Sequence, residues 1–129
     1  MDIIITSVMV DDQEKALQFY TNVLGFVKKM DTPAGGARWL TVVSPNAPEG
    51  TELLLEPMGF DFARTFQKSL FDAGIPATMF GVKDIQKDYE RMRAAGAVFR
   101  SAPAAMGPVI IADFEDTCGN IIRMAQMIQ

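Results

Sequence analysis

No histidine occurs anywhere in the 129 residues. That absence removes imidazole metal ligation, the Ser–His–Asp and Cys–His nucleophile pairs, and the commonest general base near neutral pH. Any chemistry falls to carboxylates, lysine, tyrosine, a single thiol or a borrowed cofactor. Cys118 is the only cysteine, so no intrachain disulfide can form and a reducing cytoplasm is the expected location. No segment approaches the ~18 uninterrupted apolar residues of a membrane span. The opening MDIIITSVMVDD has a short apolar run with neither a basic flank nor a cleavage site, which predicts a strand and no signal peptide. Positive charge is also in deficit. Twelve basic against 16 acidic residues leave a net charge of −4, with no general attraction to nucleic acid or to an anionic membrane.

What is present is ordinary for a soluble globular protein: 49% hydrophobic and 22% charged residues, enough for one domain with a real core over residues 1–129. Residues 3–10 (IIITSVMV) are short and β-branched, and predict a strand. Asp11 with Glu14 three later has capping-box spacing. Ala16, Leu17, Tyr20, Val23 and Leu24 then form the stripe of an amphipathic helix, with Gly25 as its left-handed terminator. Strands are expected from Phe26, through ARWLTVVS and through TELLLEP, with TPAGG and PNAPEG as turn and loop. The first half therefore reads β-α-β-β-β.

The second half repeats the order. Ala77–Val82 predicts a strand, Asp84 a helix cap, and Tyr89 and Met92 an inward helix face. Gly96 ends that helix, Ala97–Arg100 predicts a strand, SAPAAMGP a loop, and VIIADF and NIIRMAQ the closing strands around EDTCG. Val10 superposes on Val82, Asp12 on Asp84 and Lys15 on Lys87 at an offset of 72; Gly50 matches Gly119 at 69. A period near 70 in two copies reads as a duplicated half-domain, about 1–57 and 75–126 joined by 58–74. In the joining segment Phe62–Phe71 predicts a short helix with Ala63, Phe66 and Leu70 inward, closed by Gly74.

The string SVMVDDQEKALQFYTNVLGF resembles the opening signature of the vicinal oxygen chelate superfamily, which includes glyoxalase I, bleomycin-resistance proteins and extradiol dioxygenases. The closing DTCGNIIRM is similar to that superfamily's Asp-Pro-Asp-Gly-Asn strand entry, with Thr117 and Cys118 in place of Pro and Asp, and TELLLEP matches a phrase common among its members. The resemblance covers residues 3–126. It implies an α+β fold of two βαβββ modules forming a cup-shaped mixed sheet with helices outside, and a homodimer in which modules pair within one chain or swap between chains.

Superfamily enzymes hold a divalent metal in the cup through ligands on the first and last strands of each module. Carried over one by one, those positions fall on Ile5, Leu54, Ala77 and Arg123. A shift of one or two residues would bring Glu56 or Glu52 into the place of Leu54, so at most one ligand of four survives, and Arg123 puts a cation where the metal's charge would lie. No metal and no cofactor are therefore expected. The resemblance then favours metal-independent binding or sequestration of a small, partly apolar or aromatic molecule, akin to the bleomycin-resistance branch. The alternative is a glyoxalase-, lyase- or dioxygenase-like enzyme with a carboxylate-based site on Glu52, Glu56 and Asp113. A third possibility is a partner-binding domain using the outer face.

Five residues are the candidates for ligand contact: Trp39, Glu56, Phe60, Met106 and Arg123. Glu56 and Arg123 on equivalent strands read either as an ion pair replacing the metal or as two solvated rim charges. Trp39, the sole indole, reads as a stacking surface or as core or dimer-interface packing, with Arg38 on the opposite face. Phe60, Phe62 and Phe66 read as a lid or a plain linker helix, and Met106 among nine methionines as a pliable pocket wall or core filler. Tyr20 and Tyr89 are expected in the core. Cys118, beside Asp113, Glu115 and Asp116, is a poor thiolate.

Overall fold

Asp12 ends the first strand and starts the first helix. Its backbone is extended (φ −149°, ψ 113°) and its carboxylate accepts the Lys15 backbone N–H at 3.0 Å, satisfying a donor that the first helical turn leaves free. The helix begins one residue later than the capping-box spacing implied, so Asp12 and not Asp11 has the reach to cap it. Asp11 instead holds the Lys15 ammonium at 3.1 Å. Asp84 repeats the arrangement in the second half, accepting from Lys87 N–H at 3.1 Å.

The computed structural model describes residues 1–128. In chain order these form β1 (Ile5–Val10), α1 (Gln13–Gln18) running into a wider π-helical turn (Phe19–Val23), β2 (Val27–Ala34), β3 (Ala37–Val43), β4 (Glu52–Pro57), α2 (Asp61–Asp72), β5 (Thr78–Gly81), α3 (Ile85–Ala94), β6 (Ala104–Met106), β7 (Val109–Glu115) and β8 (Ile121–Met127). Two compact units, Met1–Thr65 and Phe66–Gln129, divide the chain. Each holds one four-stranded mixed sheet, ordered β1-β4-β3-β2 in the first and β5-β8-β7-β6 in the second. The fold is α+β, built of two βαβββ modules.

Strand register places the repeat residue by residue. Ser7 lies opposite Leu54 in the parallel β1–β4 pair, and Met79 lies opposite Arg123 in the parallel β5–β8 pair. These are the partners that offsets of 72 and 69 require. Leu54 is thus the first module's counterpart of Arg123, and Glu56 lies one full side-chain repeat further along the same face.

Three expectations are corrected. The turn after β2 is only Gly35-Gly36, with φ of +57° and +84°, a two-residue hairpin that keeps Ala34 opposite Ala37. β2 consequently runs through Thr32-Pro33-Ala34. Pro33 is tolerated because β2 is an edge strand whose outer side needs no donor. In the second module, Ala97–Arg100 forms only an isolated bridge, Phe99 to Phe114, with Arg100 N–H bonded to Asp113 O and Glu115 N–H to Val98 O. The regular edge strand β6 lies in the SAPAAMGP segment expected as a loop, where alanines give no β-branched signal. The strand that is continuous in module one is here broken across Ser101–Pro103. Finally, α2 turns Ala63 and Gln67 inward, while Phe66 is 62% exposed.

In the first module, β1, β3 and β4 bury Val8, Val10, Leu40, Val42, Leu53 and Leu55, and α1 with its π-helical turn buries Ala16, Leu17 and Tyr20. In the second, Ile85 and Met92 of α3 are buried, as are Phe114, Ile122 and Met124 of the sheet. Tyr89 is half-buried, its ring edge-on to Phe99 at 4.6 Å. Truncating a fully buried leucine such as Leu55 to alanine costs about 2–5 kcal/mol.

Candidate functional site

Alternation along the strands divides each sheet into a helix face and a far face. In the first module Arg38 marks the helix face, because its guanidinium reaches Glu14 of α1 at 2.9 Å and Asp31 at 2.8 Å. Trp39 and Thr41 therefore point to the far face. Thr41 pairs with Leu54, which puts Leu54, Glu52 and Glu56 there as well. The parallel β1 adds Ser7 and Met9, the register partners of Leu54 and Glu56. Two residues beyond the Thr41–Leu54 pair, where the regular β3–β4 pairing has ended, Met9 lies opposite Glu56 across β1–β4 and Thr32 opposite Trp39 across β2–β3.

The chemistry of these residues is set by what they lack. Trp39 is 40% exposed. Glu56 is half-buried, and among the described residues its carboxylate has no hydrogen-bond or ion-pair partner. Glu52, one row beyond Leu54, accepts the Thr41 hydroxyl at 2.6 Å. On the other side of the same strands, Gln13 of α1 donates through Nε2 to the carbonyls of Arg38 and Leu55 at 2.7 and 2.9 Å and accepts Arg38 N–H at 3.1 Å. One amide thus ties β3 to β4 just where Trp39 and Glu56 leave them.

In the second module Gln126 marks the helix face, its side-chain oxygen accepting Ile85 N–H at the start of α3. Arg123, an odd number of residues away, lies on the far face. Its fork is filled by its cross-strand partner Asp113, Nε to Oδ1 at 2.8 Å and Nη2 to Oδ2 at 3.0 Å. These hydrogen bonds raise the Arg123 guanidinium above its ordinary pKa, against a smaller opposing effect of burial. Asp113 thus supplies the counter-charge of Arg123 within its own sheet. Counting back from the tight β7–β8 turn would have found this pair, since residues equidistant from it face each other.

Met106 is 54% exposed at the β6–β7 hairpin, opposite Val109. That is two rows from Arg123, about 13 Å along the strands. Phe60 is 64% exposed and stacks on Phe62 with centroids 4.9 Å apart. Trp39 and Glu56 thus share the far face of the first sheet, while Met106 and Arg123 share a face of the second at a distance. A groove of about 480 Å³ lies on the helix side of the second module, between Asp84, Ala105, Ile110 and Gln126. The N–H groups of Ile85 and Lys87 at the start of α3 are already taken by Gln126 and Asp84, so they are not available to an anion there.

The superfamily's metal does not fit this donor set. Ile5, Leu54 and Ala77 offer no donor atom, and Arg123 is a cation. Among the described residues no group of three or more Asp, Glu or Cys side chains is placed to hold a metal ion. The carboxylates of the alternative site are otherwise engaged or single: Asp113 on Arg123, Glu52 on Thr41, Glu56 alone.

The buried polar cluster of the β7–β8 turn was not foreseen. Fully buried Asp116 accepts the N–H groups of Cys118 and Asn120 and the Asn120 amide at 2.8–3.0 Å. Gln67 of α2 donates to Cys118 O and Asn120 Oδ1. Cys118 itself is fully buried, which fits the inert role expected of it.

Comparison with known proteins agrees with this architecture. A Bacillus subtilis protein named as uncharacterized, YurT, is 54% identical over 126 residues, spanning 98% of this chain and 99% of its own. The crystal structure of UcmS2 superposes with a TM-score of 0.84 at 29% identity, covering 97% of both chains. That of TnmS3, described as an antibiotic binding protein from Streptomyces sp. CB03234, gives 0.79 at 27% identity over 98% of this chain and 96% of its own. The family model matches residues 3–124, and the chain belongs to the glyoxalase/bleomycin resistance protein/dioxygenase superfamily.

Proposed function

We propose that the protein binds a small, partly apolar or aromatic molecule on the far faces of its sheets and sequesters it without making or breaking a bond, independently of metal. The observation that carries this reading is Trp39: a large flat ring, substantially exposed, opposite Thr32 and on the same sheet face as Met9 and Glu56, a face its own helix does not cover. An indole so placed gives apolar contact area at little conformational cost, with a few polar groups to orient the ligand. The description of TnmS3 as an antibiotic binding protein supports the same reading. Arg123, neutralised by Asp113, is a fixed hydrogen-bond donor in this scheme, with Nη1 free of protein partners among the described residues.

The reading includes a pair of chains in the cytoplasm acting on a small molecule, with neither nucleic acid nor membrane as partner. No helix among the described residues is long and apolar enough to cross a membrane. Calorimetric titration with a flat neutral aromatic, 2-naphthol, tests the binding. Saturable heat is expected, weakened about fivefold in Trp39→Ala, the loss of one aromatic contact. Absence of saturable binding up to the solubility limit would count against the proposal.

A further inference from the structure

The two modules divide the charge unequally. The first, through Thr65, has five basic and nine acidic residues, and so carries the whole net charge of −4; the second has seven of each. All five basic side chains of the first module are already held by carboxylates: Lys15 by Asp11, Lys28 by Asp31, Lys29 by Glu49, Arg38 by Glu14 and Asp31, and Arg64 by Asp61. Glu56 is one of the carboxylates in excess. It is half-buried, so part of its hydration is already removed, and among the described residues its carboxylate has no hydrogen-bond or ion-pair partner.

From that excess of negative charge and from the indole on the same face of the adjoining strand, held near it by the Gln13 amide that bridges the Arg38 and Leu55 carbonyls, we infer that the face carrying Trp39 and Glu56 is a site for an organic cation, an ammonium borne on an apolar or aromatic body. An indole face attracts a cation through its ring quadrupole, and more strongly when the cation is partly desolvated. A carboxylate on the same face adds the charge-assisted bond or, for a quaternary ammonium, the Coulombic partner. Met9 and Leu54 on either side of Glu56 supply apolar surface for the body of the ligand. An anionic ligand meets the opposite: Glu56 and Glu52 on the same face, with every lysine and arginine of the module engaged. The inference rests on the proposed binding role and deepens it by naming the ligand's charge.

The probe is benzyltrimethylammonium, with benzyl alcohol and benzoate as neutral and anionic counterparts, titrated by calorimetry and by the emission of the single indole. Saturable binding of the ammonium with a shift in Trp39 emission is expected, with benzoate not binding. Glu56→Gln, which keeps the shape and removes the charge, weakens the ammonium about tenfold and leaves benzyl alcohol unchanged. Should Glu56→Gln fold poorly by circular dichroism, Glu56→Asp serves as the second variant, keeping the charge but withdrawing it from the ring, with an intermediate loss. No saturable binding of the ammonium, or equal affinity in wild type and Glu56→Gln, overturns the inference. If 2-naphthol binds and the ammonium does not, this inference falls and the binding role stands; if neither binds, both fall.

Discussion

Asp113 and Arg123 face each other across β7 and β8 and hold each other through both oxygens of the carboxylate, at 2.8 and 3.0 Å. The planar fork fixes the guanidinium in one orientation. Both side chains are mostly covered, 27% and 15% exposed, so losing one strands the other. Arg123→Ala is expected to lower stability by about 1–2 kcal/mol, a charged hydrogen bond discounted for partial exposure. Arg123→Met combined with Asp113→Leu should lose less than the two single changes added together. Urea unfolding of the four proteins measures the difference.

Acid should loosen the first module through Asp31. Hydrogen bonding to Arg38 holds its carboxyl at about 2, below the ordinary 3.8, and Glu14 is lowered by Gln18 and then Arg38. A carboxylate with a depressed folded value contributes stability above its unfolded value, and loses it as pH falls through the folded one. The contribution of Asp31 is therefore intact at pH 5 and declines between about pH 4 and 2. The expected result is that Asp31→Asn is less stable than wild type at pH 5, and that the gap narrows steadily towards pH 2. Denaturant midpoints across that range check it.

Gly119 has no room for a side chain. Its φ is +95°, and an added Cβ would lie 2.5 Å from the Gln67 side-chain oxygen. Gly119→Ala combines a disfavoured backbone with displacement of a buried amide that bonds to Cys118 O and Asn120 Oδ1. A loss of about 2–4 kcal/mol is expected from strain and an orphaned donor together. Gln67→Ala should cost about 1–3 kcal/mol. The double variant should be less than additive, because the clash is gone. Thermal and urea unfolding decide this.

Chelation should be without effect. With Ile5, Leu54, Ala77 and Arg123 at the positions of the superfamily's ligands, EDTA is expected to leave the melting temperature unchanged. Elemental analysis should find less than a tenth of a metal equivalent per chain, since none of those side chains donates to a divalent ion. Stoichiometric manganese, iron, nickel or zinc would contradict it.

Two chains should associate. Phe60, Phe62 and Phe66 are each more than 60% exposed, and β2 and β6 lie at the edges of their sheets, the position that favours pairing with another chain. Light scattering at micromolar concentration is expected to give twice the 14.2 kDa chain mass. Phe62→Ser should lower that value if the aromatic segment is in the contact.

The order of elements and the βαβββ modules were legible in the sequence, because each rests on local signals. Apolar periodicity makes α1 and α3, Asp12 and Asp84 cap them, and a fixed offset carries one module onto the other. Superfamily membership came from the same short strings. Edge strands were harder: β6 is three residues with two alanines, and it exists because β7 offers a free edge. Pro33 likewise sits in a strand only because β2 lies on the outside of its sheet. The partner of Arg123 was decided by register, which made Asp113 its cross-strand neighbour. Gln67 turned inward and Phe66 outward because the Cys118 and Asn120 acceptors required an amide at that point, and helical periodicity cannot see an acceptor fifty residues away. Residue types and their spacing thus determined which elements form; tertiary packing alone decided which charges meet.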